Sequence, residues 1–143
     1  KTPTLITGDG YKTLIEVLIS TYRLNNQGEK LISENLVDGQ QFEKLTITPK
    51  SKEFINLYEN YSNIELTGTR YSLYPQLIEG LKNDIADIEA LNQFEDPEII
   101  SLKNHDFFVG CGFCPQISST REIPHPLIYT FFKACLIHLE KAS

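Results

Sequence analysis

The sequence predicts an α+β fold: a single compact domain over residues 1–143, with long amphipathic helices and a small mixed or antiparallel sheet. Three observations predict it. Apolar residues recur at helical spacing in several segments, runs rich in β-branched residues lie between them, and the two kinds do not alternate regularly as a parallel doubly wound sheet requires. With 143 residues, 41% of them hydrophobic and 22% charged, the chain can bury a core of its own.

Taken in order, "TPTLIT" reads as a strand closed by the turn "GDG", Gly8 to Gly10. The segment from Tyr11 to Leu24 carries Leu14, Ile15, Leu18, Ile19 and Tyr22 at helical spacing, and "NNQG", Asn25 to Gly28, stops it. "EKLISENLV" follows as a second short helix, then the turn "DGQQ" and the strand "KLTIT". Thr48 and Pro49 form an N-cap and first-turn pair for a helix through "KSKEFINLYENYS", and "NIELTGT" is a further strand.

From Tyr74 to about Asn92 the pattern predicts one long helix, with Leu77, Leu81, Ile85, Ile88 and Leu91 on its buried stripe. "HDFFVG" is a buried strand, "CPQISSTREIPHP" a loop, and Pro126 opens a terminal helix through "LIYTFFKACLIHLEKA".

Charge limits the partners. The net charge is -6, and residues 61 to 143 hold 6 basic against 11 acidic side chains. Phosphate backbones are held by clustered Lys and Arg, so no nucleic-acid partner is expected. No run of 18 apolar residues exists, so no membrane partner is expected either. The chain begins at Lys1 and holds no Met, and we expect a domain excised from a larger protein. An odd count of three cysteines favours an intracellular, cytoplasmic setting over a disulfide framework.

The cysteines carry the chemical signal. Cys111 and Cys114 form a C-x2-C pair behind an apolar strand, and Cys135 and His138 stand three apart on the terminal helix, on one face. The spacing is C-x2-C, 20 residues, then C-x2-H, which suits a tetrahedral zinc site of Cys111, Cys114, Cys135 and His138. His125, then His105, is the substitute ligand should His138 point away. Beside that reading stand inert buried thiols, a redox or nucleophilic pair, an iron-sulfur cluster on the same residues, and an open metal position beside Asp106 or Glu122.

Several local resemblances follow from these residues. "DFFVGCGFC" resembles the redox signature of thioredoxin-like oxidoreductases, although only 29 residues follow Cys114 where that fold continues with more strands. The C-x2-C and helix pair resembles a treble-clef zinc fold, which draws its last two ligands from the first turn of the helix, whereas Cys135 lies nine residues past Pro126. Leu31 to Tyr58 resembles the end of a MarR-like winged helix, with Ser51 in the place of a Gly and only Lys30 near the supposed recognition helix. That resemblance implies a winged-helix-like first half without DNA binding.

Together these readings predict a non-catalytic regulatory or protein-interaction domain stabilised by structural zinc, with another protein or another domain of the parent chain as its partner. The alternative is a small enzyme using cysteine thiols or an open zinc site, or a ligand-sensing domain.

Overall fold

A computed structural model describes residues 1–25, 30–36 and 42–142. Its centre is a mixed five-stranded sheet, ordered β1 (Thr4–Thr7), β9 (Phe108–Cys111), β8 (Pro97–Leu102), β7 (Ala86–Leu91) and β4 (Thr48–Pro49). β1 runs parallel to β9, with Thr4 opposite Phe108 and Thr7 opposite Cys111, and the remaining pairs are antiparallel. Two antiparallel pairs stand beside it, β2 (Ile32–Leu36) with β6 (Thr69–Leu73) and β3 (Glu43–Thr46) with β5 (Ile64–Thr67).

Period-2 alternation divides the main sheet between two cores. Ile6, Ile100 and Phe108 pack with Tyr11, Leu14, Ile15 and Leu18 of α1 (Asp9–Thr21) and with Leu77 and Leu81 of α3 (Pro75–Asp84). Leu5, Ile99, Val109 and Cys111 pack on the other side with Phe54 of α2 (Lys52–Leu57) and Leu127 of α5 (Pro126–Ala142). A short helix, α4 (Pro115–Ser118), lies between β9 and α5. Gly110 lets α1 approach β9, since a Cβ there would stand 2.7 Å from Leu14 Cδ2.

The mixed α+β class and mixed sheet hold, while several expected elements do not. The helix expected from Tyr74 to Asn92 ends at Asp84, and Ala86–Leu91 is a strand. Its residues satisfy both periods: Ala86 and Ile88 join the first core, then a register irregularity turns Ala90 to the second. Pairing to β8 on one side and β4 on the other decides the conformation against local propensity.

The short helix expected within "EKLISENLV" is the strand β2 over Ile32–Leu36, because all five of those residues find partners in β6. A strand in the place of the recognition helix removes the winged-helix expectation. Ser51, not Thr48, caps α2, its hydroxyl accepting from the Phe54 amide at 3.3 Å, and Thr48 and Pro49 sit in β4. The stop at "NNQG" and the turn at "DGQQ" lie, apart from Asn25, outside the described residues.

Candidate functional site

The strand ends meet the helix ends at one corner of the main sheet. β1 stops at Thr7, Gly8 turns the chain with φ 59° and ψ -130°, and α1 begins at Asp9. Positive φ suits glycine, which has no Cβ to clash with its own carbonyl. The Gly8 amide donates to the Phe113 carbonyl at 3.0 Å, and the Cys114 amide donates to the Leu66 carbonyl at 2.9 Å. These bonds draw the end of β9, the end of β5 and the β1–α1 turn together. A Cβ on Gly8 would lie 3.2 Å from the Cys114 sulfur.

Further bonds fix the corner. The Tyr71 hydroxyl donates to Asp9 Oδ1 at 2.6 Å, and the Thr67 hydroxyl donates to the Thr69 carbonyl at 2.7 Å. Burial raises the Cys114 pKa, the nearby Asp9 carboxylate raises it further, and a backbone bond from Gly68 partly offsets both. Cys111 is fully buried, with its thiol donating to the Phe113 carbonyl at 3.6 Å. Burial first, then the carboxylates of Glu65 and Glu98, push its pKa well up. Neither thiol is set up as a thiolate.

Two buried polar clusters underlie the corner. Glu65 Oε2 accepts from the Tyr58 hydroxyl at 2.7 Å and from His125 Nε2 at 2.5 Å, while His125 Nδ1 accepts from the Leu127 amide at 3.0 Å. The Leu127 bond leaves Nε2 as the ring position that carries the proton. On the other side of β9, Asn92 donates to Glu98 Oε1 at 2.8 Å, and the buried Tyr11 hydroxyl donates to the Pro97 carbonyl at 2.9 Å. Burial pushes the Glu98 pKa up to about 8, with Asp96 adding to the rise and Asn92 and Arg70 opposing it.

The four expected zinc ligands are not gathered. Cys111 and Cys114 are together at the carboxyl end of β9. His138 lines a small cavity with Lys1, Pro3 and Asp106, at the opposite end of that strand, roughly 15 Å away for five extended residues. Cys135 lies eight residues along α5 from Leu127, which packs with Cys111, and eight helical residues span about 12 Å. The i, i+3 spacing puts Cys135 and His138 on one helix face, and His138 of that face lies beside Asp106, before β9, rather than at the C-x2-C turn after it.

Among the described residues no group of three or more His, Cys, Asp or Glu is placed to hold a metal ion. Of the substitutes, His125 has both ring nitrogens engaged, and His105 Nδ1 lies 3.0 Å from the Lys103 carbonyl at the far end of β9. Asp106 sits by His138, and Glu122 is exposed on the loop before α5. The sequence reading took Gly8 and Asp9 only as a turn and His125 only as a substitute metal ligand, and it passed over Tyr71 and Glu65. The signal for the first two was a strand running into Gly-x-Gly and then directly into an amphipathic helix.

No helix among the described residues is long and apolar enough to cross a membrane. No family model matches the chain. It is 35% identical over 97 residues to the CTP synthase of Chlamydia muridarum, covering 66% of this chain and 18% of that protein. It is 32% identical over 94 residues to the CTP synthase of Trichlorobacter lovleyi, covering 65% of this chain and 17% of that protein. The chain thus spans less than a fifth of the length of these curated relatives. The glutaminase domain of Trypanosoma brucei CTPS with bound acivicin superposes with a TM-score of 0.71 at 18% identity, over 94% of this chain and 60% of that one. These similarities, together with the dispersed cysteines, overturn the reading of a zinc-stapled interaction module, and the chain has the fold of that glutaminase domain.

Proposed function

We propose that this chain is the glutaminase-type domain of a CTP-synthase-like protein, and that its ligand is glutamine, taken at the corner formed by Gly8, Asp9, Gly68 and Cys114. The observation that carries the reading is the similarity to CTP synthases across two-thirds of the chain, joined to the glutaminase fold over 94% of it. Its partner is then another domain of the parent chain. Three free cysteines fit a reducing, cytoplasmic setting.

The charges nearby suit an amino acid. Arg70 of β6 stacks its guanidinium 4.1 Å from the Phe94 ring centroid, faces Asp96 at 3.7 Å, and pairs through its buried Nε with Glu43 at 3.6 Å, too long for a hydrogen bond. Lys12, in the first turn of α1, pairs with Glu34 of β2. A zwitterionic end can be matched by one cation and one anion.

A ligand that binds only the folded chain raises its thermal midpoint. L-Glutamine is expected to do so here, and L-alanine, which lacks the carboxamide, is not. Equal midpoints with and without saturating L-glutamine would remove the proposal.

A further inference from the structure

Where a strand turns sharply into a helix, hydrolases of strand–turn–helix design place their nucleophile at the apex, so that its side chain emerges at the carboxyl end of the sheet. The β1–α1 turn has that geometry. Its apex is Gly8, at φ 59° and ψ -130°, directly between Thr7 of β1 and Asp9 of α1. The apex therefore offers no side-chain atom, and the first atom such a side chain would bring lies 3.2 Å from the Cys114 sulfur.

Covalent amide cleavage needs a nucleophile that adds its electron pair to the carbonyl carbon. It also needs a base that takes the nucleophile's proton and delivers it to the departing amine. Cys114 is the thiol facing the apex, but the reactive species is the thiolate, and burial together with Asp9 favours the neutral form. Nor is an imidazole free to deprotonate it. His125 is committed to Glu65 through Nε2 and to the Leu127 amide through Nδ1. His105 and His138 belong to the other end of β9.

We propose that the corner at Gly8 and Cys114 holds the side-chain carboxamide of glutamine without cleaving it, so that occupancy rather than turnover is its output. The inference rests on the reading of the chain as a glutaminase-type domain. What the corner retains is suited to holding: the hydrogen bond from Tyr71 to Asp9 ties the β2–β6 pair to the first turn of α1, and the Cys114 backbone N–H is fixed by donating to the Leu66 carbonyl.

The test uses the whole chain, calorimetric titration with L-glutamine, and a coupled assay for released ammonia. Heat of binding with ammonia at the level of the protein-free blank is the expected result. Ammonia release that scales with protein concentration and disappears in Cys114→Ser would overturn the inference while leaving the glutaminase-type reading in place. A protein that melts cooperatively yet neither binds L-glutamine nor releases ammonia would overturn the reading itself, and the ligand with it.

Discussion

The Tyr71 hydroxyl reaches Oδ1 of Asp9 at 2.6 Å, fastening a strand of one small sheet to the opening turn of α1 across 62 positions of sequence. A hydrogen bond to a carboxylate is stronger than one between neutral groups. Tyr71→Phe should therefore cost about 1–2 kcal/mol. Urea unfolding would measure it, and an unchanged midpoint would mean that the bond contributes nothing to holding the corner.

Gly8→Ala places a methyl group at φ 59° and 3.2 Å from the Cys114 sulfur. A loss of about 1–3 kcal/mol is expected from the backbone conformation and the crowding together. Repeating the substitution in a Cys114→Ala background separates the two, because only the contact with sulfur is relieved. Chemical denaturation of the four proteins gives the coupling directly.

Thiol chemistry gives a third prediction. Cys111 should resist alkylation in the folded protein, since it is fully buried. Cys114 should react only as the pH rises above the range for a free thiol, because burial and then Asp9 lift its pKa. Asp9→Asn removes the second cause and should move the alkylation profile of Cys114 part of the way back down. Mass mapping of the labelled cysteines would show it, and an unmoved profile would exclude Asp9 as a contributor.

Removing Glu65 strands two donors in the second core. Its Oε2 accepts from both Tyr58 and His125, and all three side chains are buried. Glu65→Ala should cost about 3–5 kcal/mol, as expected when a buried polar network loses its central member. Thermal unfolding reads this, and a loss below that of Tyr71→Phe would contradict it.

Glu98 makes stability depend on pH in the direction opposite to a salt-bridged acid. Its folded pKa of about 8 lies above its ordinary value of 4.5, so the folded state keeps the proton that the unfolded state releases. Its contribution is complete below about 4.5 and is lost as pH rises towards 8, because the folded state binds more protons across that window. Urea midpoints should fall across this range in the wild type, and the fall should be shallower in Glu98→Gln.

The parts of the fold that were legible in sequence are those fixed locally. The strands around "TPTLIT", "KLTIT" and "HDFFVG" and the helices α1 and α5 follow from short-range pattern and turn chemistry. β7 was not legible as a strand, because Ile85, Ile88 and Leu91 fit a helical stripe and only pairing with β8 and β4 selects the strand. β2 was hidden for the same reason, its partner lying in β6. At the site, the C-x2-C spacing drew attention to Cys114 but assigned it the wrong company. The residue that faces it is Gly8, 106 positions away, and neither chemistry nor spacing connects a glycine to a thiol until the sheet brings them together.

The pairing of β1 with β9 also sets an order of events in time. Thr4 and its partner Phe108 are 104 positions apart, and β1 stands at the edge of the sheet with β9 as its sheet neighbour. A ribosome making this polypeptide releases the first strand and α1 long before the strand that completes them exists. Closing so long a loop is entropically costly and slow. Nascent β1 must therefore wait as an unpaired apolar segment, which makes its encounter with β9 a natural late step of folding and the corner at Gly8 one of the last parts of the molecule to take shape.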